Sequence, residues 1–491
     1  MRSCPVSAFE RNCLGFLLTL VGCLVLVPGL ALADPTTPKP RGFQGFLAVT
    51  SDGEVLATHH ADRRFAPASV QKLLISAAAL HHLGPEDRIH TRVTADGPIV
   101  DGTLDGNLVL HAAGDPTWSG RFYAENPRQP LEHLARRVAE AGLRRVTGDL
   151  VVRTGAFTGR PFPTSRALGE LAYGWAAPVV ALAVDENALR VEIAPGPRVG
   201  SPGSVRVTGP ADADVRLINA IRTVGVERHG HGTVDFLPSW VDQTLVVRGE
   251  YPISEPSYTL EVAVPQGELH AAGALRRVLE ARGVRIDGSV AIDPRPRTAD
   301  EGRPLAVVES PPLGERLVPI LTDSANWQTE MLLRHLAFRV VGEGRSGAGL
   351  EVVADFLTET VGIDAGAFEL DDASGISPHD SITPRAVVAL LEWSRGQPWF
   401  PVFRSALATP GEGTLDTWGR LPPLHGKTGS ARGTLGLAGF LAAPGAGPGA
   451  QEIFFVHLNN RRPEARPVLR AEIRRWLWEL SEGASRGDPE P

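Results

Sequence analysis

The two ends of this 491-residue chain carry strand patterns that match each other, and this constrains the fold more than any other feature. Near the start, segments 43–50 and 54–59 flank Ser51-Asp52-Gly53, which is a hairpin signal. Near the end, strand-like runs lie at 424–431, 435–441 and 453–459. We predict that these strands form one antiparallel five-stranded sheet, with the rest of the chain enclosed between its parts.

Lysine is rare in the chain, and its positions are informative. There are 46 arginines and only three lysines, Lys39, Lys72 and Lys427. A GC-rich genome explains the rarity but not the positions. Arginine stays protonated in proteins, so a step that takes up and returns a proton can use lysine but not arginine. Because Lys72 and Lys427 lie in short polar motifs, we interpret both as functional.

The first motif is Ser69-Val70-Gln71-Lys72, at the predicted start of a helix that runs to about Leu83. Residues i and i+3 share a helix face, which places Lys72 beside Ser69. A serine hydroxyl needs a nearby base to become a useful nucleophile, and a buried lysine with a lowered pKa can be that base. Taken alone, the motif is better explained as an ordinary helix cap followed by an exposed lysine.

Two further motifs follow the first along the chain. Ser324-Ala325-Asn326 begins another predicted helix, and alone it is also better explained as a cap. Gly426-Lys427-Thr428 resembles the end of a phosphate-binding loop, but that loop needs glycine where Leu421 stands. We therefore exclude it. Ser-x-x-Lys, Ser-x-Asn and Lys-Thr-Gly in this order form the joint pattern of penicillin-binding proteins and serine β-lactamases.

The spacing of the motifs selects one family. More than half of the chain separates Ser69 from Ser324, over twice the spacing in class A β-lactamases. A long β-rich insertion here resembles the D-alanyl-D-alanine carboxypeptidase/endopeptidase family, the class C low-molecular-mass penicillin-binding proteins. Further stretches resemble that family: Gly114-Asp115-Pro116-Thr117, residues 181–187, Ser310-Pro311-Pro312-Leu313, residues 372–377 and Thr383-Pro384.

The resemblance implies an α/β fold. It predicts a penicillin-recognising, β-lactamase-like α/β/α domain around the antiparallel five-stranded sheet, formed by residues 34–88 and 305–481. Residues 89–304 are predicted to form one or two inserted β-rich domains, with helices at 130–143, 213–224 and 268–282. Residues 482–491 are expected to be a disordered tail.

The resemblance also implies catalytic roles for five residues. Ser69 attacks the carbonyl of the penultimate D-alanine and is acylated, while Lys72 takes its proton. Ser324 and Lys427 form the proton path to the leaving amine, and Asn326 holds the substrate amide. Water then releases the product, and β-lactams acylate Ser69 as substrate mimics.

The strand after Lys427 is expected to bind substrate. By the same resemblance, Lys427, Thr428 and Ser430 face the terminal carboxylate, with Gly429 between them. The backbone N–H groups of Ser69 and Ser430 would form an oxyanion hole, which is usually the largest contribution to this kind of catalysis.

Three positions depart from the family pattern. Thr322 stands where a basic residue is common two positions before Ser324, and Gly426 replaces a commoner alanine. Arg153 stands where the family often has an aspartate that contacts the side-chain ammonium of the peptidoglycan diamino acid. Because a positive Arg153 would repel an ammonium, we expect an altered pocket there.

The first 33 residues resemble a secretory signal. Arg2 and Arg11 precede an apolar run that ends at Ala31-Leu32-Ala33. A retained membrane anchor and a lipoprotein box at Leu20-Val21-Gly22-Cys23 remain as alternatives, but we favour cleavage after Ala33 and export to the periplasm or envelope. All three cysteines lie in this segment, so neither disulfides nor thiolate metal sites are expected after it.

The sequence therefore predicts a serine D,D-peptidase without metal or cofactor. Its expected partners are peptidoglycan peptides and β-lactam antibiotics, and its oligomeric state stays open. The net charge of −7 gives no support for nucleic-acid binding, which needs a basic balance. Two alternative functions remain: a β-lactamase or esterase on the same site, and a non-catalytic peptidoglycan-binding scaffold with this fold.

Overall fold

The computed structural model describes residues 42–208, 215–225, 233–295, 304–442 and 452–483. The predicted signal segment, Lys39 and nearly all of the predicted tail lie outside these ranges. Within them, no helix combines the length and the apolar character needed to cross a membrane.

The described residues alternate between strands and helices. The strands are β1 (Phe43–Thr50), β2 (Val55–His59), β3 (His90–Asp96), β4 (Ile99–Val100), β5 (Thr103–Leu104), β6 (Asn107–His111), β7 (Arg145–Val146), β8 (Leu150–Arg153), β9 (Ala188–Ala194), β10 (Ser204–Val207), β11 (Arg216–Val224), β12 (Asp235–Pro238), β13 (Thr244–Pro252), β14 (Tyr258–Ala263), β15 (Arg285–Ile286), β16 (Val290–Asp293), β17 (Pro304–Glu309), β18 (Phe368–Glu369), β19 (Ser381–Ile382), β20 (Leu424–Ala431), β21 (Thr434–Ala442) and β22 (Glu452–Asn460). The helices are α1 (Lys72–Leu83), α2 (Gln129–Glu140), α3 (Gly267–Ala281), α4 (Leu313–Leu321), α5 (Asn326–Val341), α6 (Ser346–Asp355), α7 (Pro384–Arg395), α8 (Phe400–Ser405) and α9 (Arg466–Ser481).

The predicted five-stranded antiparallel sheet is confirmed, with strand order β2-β1-β22-β21-β20. Strand β1 pairs with β22 along its whole length, from Phe43 opposite Asn460 to Thr50 opposite Ile453. The first strand of the chain therefore lies next to the last one. This pairing brings α1, which follows the hairpin, close to β20.

Helices cover both faces of this sheet. Successive side chains of a strand point to opposite faces. Accordingly, Phe454 packs into a core with residues of α1, α4 and α7, whereas Phe455 packs into a second core with Ile473 and Trp476 of α9. Because both faces are covered, the inner strands are apolar at nearly every position, and the α/β/α layering follows.

The region between β2 and α4 contains its own sheets. One five-stranded sheet has the order β16-β8-β6-β3-β17 and shares a core with α2 and α3. Two three-stranded sheets, β10-β9-β14 and β11-β13-β12, surround a smaller core. Since β17 pairs with β3, the larger sheet extends past residue 304. Trp327 and Met331 of α5 also join its core, so the catalytic-motif helix packs directly on the insert.

The prediction of a helix at 213–224 is wrong. Of this segment, the structure describes β11, which pairs in parallel with β13 from Arg216 opposite Thr244 to Val224 opposite Pro252. Ile221 and Thr223 are buried, which is the i, i+2 alternation of a strand. The apolar residues of this segment fit a helical period as well, so only the pairing with β13 shows that the segment is a strand.

A buried carboxylate ties the end of α1 to α4 and α5. Asp87 is almost fully buried and accepts hydrogen bonds from Arg316 Nη2 at 2.8 Å and His335 Nε2 at 2.9 Å, and it also binds Arg339. Burial opposes ionisation of Asp87, but the His335 hydrogen bond and the two arginine charges outweigh it and lower its pKa to about 2. The stabilisation is therefore complete above the unfolded-state pKa of about 4 and is lost as the pH falls towards 2.

We predict that Asp87→Asn lowers the free energy of unfolding at pH 7 by about 3–5 kcal/mol, because it leaves the Arg316 guanidinium buried without its counter-charge. Denaturant titration measures the change. Asp62→Asn is the control, because Asp62 and Arg385 form an exposed pair whose loss should cost less than about 1 kcal/mol. Equal losses in the two variants would contradict the prediction.

Candidate active site

Ser69 lies in a tight 3-10 turn, Ala68–Gln71, that leads directly into α1. This turn packs against β20. A Cβ atom added to Gly429 would lie 2.4 Å from the carbonyl oxygen of Pro67, which is closer than real Cβ contacts come. Glycine at position 429 therefore allows the Lys-Thr-Gly strand to approach the serine turn this closely.

The Lys72 amine lies between three oxygen atoms. Its Nζ is 2.7 Å from Ser69 Oγ, 2.8 Å from Asn326 Oδ1 and 2.6 Å from the carbonyl oxygen of Ser374. The side chain is completely buried. The structure thus places three of the predicted site residues, Ser69, Lys72 and Asn326, in direct contact.

Burial, helped by the positive charge of Arg166, lowers the pKa of Lys72 to a net value of about 7. The carboxylates of Asp372, Glu330 and Asp380 act in the opposite direction. A pKa of about 7 means that a large fraction of the amine is neutral at neutral pH. A neutral amine 2.7 Å from a serine hydroxyl can accept its proton.

Lys427 is the second buried amine of the site. It lies on β20 with no exposed surface, and its Nζ donates to the carbonyl oxygen of Thr428 at 3.1 Å. Burial and the nearby charge of Lys72 hold the pKa of Lys427 well below its usual value, while Asp323 opposes this effect. Farther along the same strand, Ser430 is exposed and lines a cleft.

Ser324 lies two residues before α5, in the left-handed region with φ of 65°. Among the described residues, no hydrogen bond joins its hydroxyl to Lys72 or Lys427. Its neighbour Asp323 forms an ion pair with Arg121 of the insert at 3.2 Å, and Arg121 also binds Glu186 at 2.6 Å. Ser324 therefore lies two residues from Asn326, and its role in the proton path stays a prediction.

The cleft has a volume of about 770 Å³ and is lined from two sides. Asn326 and Ser430 line it on the side of the sheet and α5. The insert contributes Ser165, Arg166, Ala167, Glu170 and Trp175. Both parts of the chain therefore contact whatever enters the cleft.

Arg153, at which an altered substrate pocket is expected, has an acidic partner in the structure. It ends β8 and lies opposite Asp293 of β16, with 3.6 Å between Nε and Oδ2. The residues that line the cleft do not include it. Its effect on the substrate pocket stays a prediction.

Several supporting residues were not predicted from the sequence. Glu330 accepts a hydrogen bond from the backbone N–H of Ser374 at 3.1 Å, and Gln71 donates to Asp380 at 2.8 Å. Glu330 follows Asn326 by four residues, which places both on one face of α5. That spacing is a signal in the sequence, whereas nothing near Arg166 in the sequence indicates that it reaches this site.

The backbone at Gly375 leaves no room for a side chain. Its φ is 78°, and an added Cβ atom would lie 1.9 Å from the carbonyl oxygen of Ala68, next to Ser69. We predict that Gly375→Ala displaces the Ser69 turn, which lowers stability by about 1–3 kcal/mol and slows any reaction at Ser69. Gly411→Ala, at φ of 88° with open space around it, controls for the backbone conformation alone. Thermal unfolding and a crystal structure of each variant check this prediction. An equal loss of stability in the two variants would contradict it.

Comparison with known proteins finds relatives that match over most of the chain. The D-alanyl-D-alanine carboxypeptidase DacB of Haemophilus influenzae is 25% identical over 435 residues, which cover 87% of this chain and 88% of that protein. The D-alanyl-D-alanine carboxypeptidase of Actinomadura sp. strain R39 is 29% identical over 85% of this chain and 78% of its own length. The crystal structure of penicillin-binding protein 4 from Haemophilus influenzae superposes with a TM-score of 0.81 at 23% identity, covering 90% of this chain and 97% of that chain.

The family comparison covers nearly all of the chain. Residues 32–480 match the model of the D-Ala-D-Ala carboxypeptidase 3 (S13) family, and this range includes Ser69, Lys72, Asn326 and Lys427. The chain therefore belongs to the D-Ala-D-Ala carboxypeptidase 3 (S13) family of serine hydrolases.

Proposed function

We propose that this enzyme hydrolyses the D-Ala-D-Ala bond of peptidoglycan stem peptides through an acyl-enzyme on Ser69. The observation that carries the proposal is the Lys72 amine, which has a pKa of about 7 and lies 2.7 Å from Ser69 Oγ beside an open cleft. The relatives from Haemophilus influenzae and Actinomadura are D-alanyl-D-alanine carboxypeptidases, which supports the same reaction.

In the acylation step, neutral Lys72 takes the proton of Ser69 as Oγ attacks the carbonyl carbon of the penultimate D-alanine. The backbone N–H groups of Ser69 and Ser430 stabilise the negative charge that develops on the carbonyl oxygen. Asn326, which already binds Lys72, is positioned to hold the amide of the substrate. The C–N bond then breaks, and D-alanine leaves with the proton that Lys72 took from Ser69, relayed through Ser324 and Lys427. Water then attacks the ester carbonyl, which releases the shortened peptide and returns a proton to Ser69.

The terminal carboxylate of the substrate would lie against Lys427, Thr428 and Ser430. Without a bound substrate, the pKa of Lys427 is well below its usual value, because the amine is buried and lies near Lys72. A bound carboxylate favours the charged form of a neighbouring amine. Substrate binding would therefore favour the charged form of Lys427, which passes a proton to the leaving amine and is reprotonated by the one that Lys72 took from Ser69.

β-Lactams would acylate the same serine, because they mimic the D-Ala-D-Ala end. The penicillin-binding protein 4 of Haemophilus influenzae has been crystallised with a β-lactam, which supports this expectation. We propose that the cleft also admits cross-linked peptides, so that the enzyme acts as an endopeptidase as well as a carboxypeptidase.

We further propose that the peptidase domain is discontinuous, formed by residues 34–88 and 305–481 around the insert 89–304. The N-terminal 33 residues would direct export to the periplasm or envelope, where peptidoglycan is found. Cleavage after Ala33 leaves an enzyme without cysteine, which suits an oxidising compartment.

The central test is incubation of the pure enzyme with cross-linked and uncross-linked muropeptides, followed by mass spectrometry. The wild type should release D-alanine from uncross-linked peptides and shorten cross-linked ones, and Ser69→Ala should do neither. Equal release by both proteins would refute the mechanism. Rapid turnover of a chromogenic cephalosporin without lasting acylation would instead indicate a β-lactamase, and absence of labelling by fluorescent penicillin would indicate a scaffold.

A second prediction separates the two lysines. Lys72→Arg keeps the charge but cannot give up its proton, so the acylation rate by fluorescent penicillin should fall by about 10²–10⁴-fold. The acylation rate of Lys427→Arg should fall by a smaller factor, since a guanidinium still binds a carboxylate. In the wild type the rate should rise as the pH passes through about 7, because neutral Lys72 is the base. Similar losses in the two variants would argue against these separate roles.

A further inference from the structure

We propose that Arg166, which the insert contributes, is a positioning residue for acylation: it holds the turn at 372–377 whose carbonyl binds Lys72. This inference rests on the proposed function of Ser69 and Lys72. It assigns to the insert a part in the chemistry itself, in addition to lining the cleft.

Arg166 reaches deep into the site. Its side chain is only 3% exposed, and Nη2 lies 3.4 Å from Asp372 Oδ2 and 3.6 Å from Glu330 Oε1. The same nitrogen donates to Ser374 Oγ at 3.4 Å. One guanidinium thus contacts two buried carboxylates and the turn between them.

The two carboxylates bind the backbone of this turn. Asp372 accepts from the N–H groups of Gly375 at 2.6 Å and Ser377 at 3.1 Å, and Glu330 accepts from that of Ser374 at 3.1 Å. These bonds fix the direction of the Ser374 carbonyl. That carbonyl accepts from Lys72 Nζ at 2.6 Å and lies 3.5 Å from Ser69 Oγ.

Two like charges this deeply buried need a counter-charge. Burial and the charge of Asp372 raise the pKa of Glu330 to about 7, and Arg166 acts against this rise. Without the guanidinium, Glu330 would take up a proton more readily and lose part of its hold on the turn, since charge-assisted hydrogen bonds are about twice as strong as neutral ones.

Removal of Arg166 also changes the charges around the base. Lys72 experiences Asp372 and Glu330 as negative groups and Arg166 as a positive one. Glu330, with a pKa of about 7, is already partly protonated at neutral pH, so its further protonation removes less than one negative charge, whereas the substitution removes a whole positive charge. The balance therefore shifts towards negative, and Lys72 holds its proton more tightly. Acylation, which needs neutral Lys72, then moves to higher pH.

The experiment measures the rate of acylation by fluorescent penicillin from about pH 6 to about pH 9.5. We expect Arg166→Gln to be at least about 10-fold slower at pH 7 than the wild type, with the midpoint of its pH profile raised by about one unit or more. Arg166→Lys keeps the charge on a shorter side chain that does not reach the position of Nη2, so its midpoint should stay near that of the wild type while its rate is intermediate. Arg248→Gln is the matched control, because Arg248 of the insert forms an exposed pair with Asp235, and it should behave as the wild type.

A rate that falls by the same factor at every pH in Arg166→Gln would overturn the proposal, because it would indicate a merely structural role. If Arg166→Gln does not fold, as judged by thermal unfolding, the acylation rate of Arg166→Lys tests the proposal instead. The lysine side chain is shorter than that of arginine, so its ammonium does not reach the position of Nη2 between the two carboxylates, and a wild-type rate in that variant would also overturn the proposal. Wild-type protein that is not labelled, or is labelled equally after Ser69→Ala, would instead refute the proposed function.

Discussion

The burial of one amine, that of Lys72, is the interaction on which the rest of the site depends. An ammonium group without solvent is costly, and its cost appears here as a pKa of about 7. The surroundings must therefore suit both the neutral and the charged form. Oxygen atoms of Ser69, Asn326 and Ser374 meet this demand, and each comes from a different segment of the chain. The fold is organised to bring these segments together.

Close packing makes this convergence possible. The sheet places β20 against the Ser69 turn, and the contact depends on glycine at position 429. The 372–377 turn approaches the same turn from another side, and that contact depends on Gly375. Two glycines thus permit approaches that any side chain would block. Helix α5 completes the site, because Asn326 and Glu330 project from one of its faces towards Lys72 and the turn.

The insert is more than an addition at the edge of the enzyme. Trp327 and Met331 of α5 belong to its hydrophobic core, and Arg121 links Glu186 of the insert to Asp323 beside Ser324. With Arg166 at the carboxylates, the insert contacts the site through apolar packing and ion pairs alike. Residues of the insert also line the cleft, and Arg153 is paired with Asp293 inside the insert.

The sequence alone determined the family, the five-stranded sheet and the candidate residues of the three motifs. These features depend on local periodicity and on motif order, which are visible in a single chain. It did not determine β11, because the apolar spacing of 216–224 fits a helix and a strand alike, and only the pairing with β13 decides. It also gave no sign of Arg166. Charges on a long insert acquire partners only when the chain folds, so tertiary structure alone decided which arginine reaches the buried carboxylates beside Lys72.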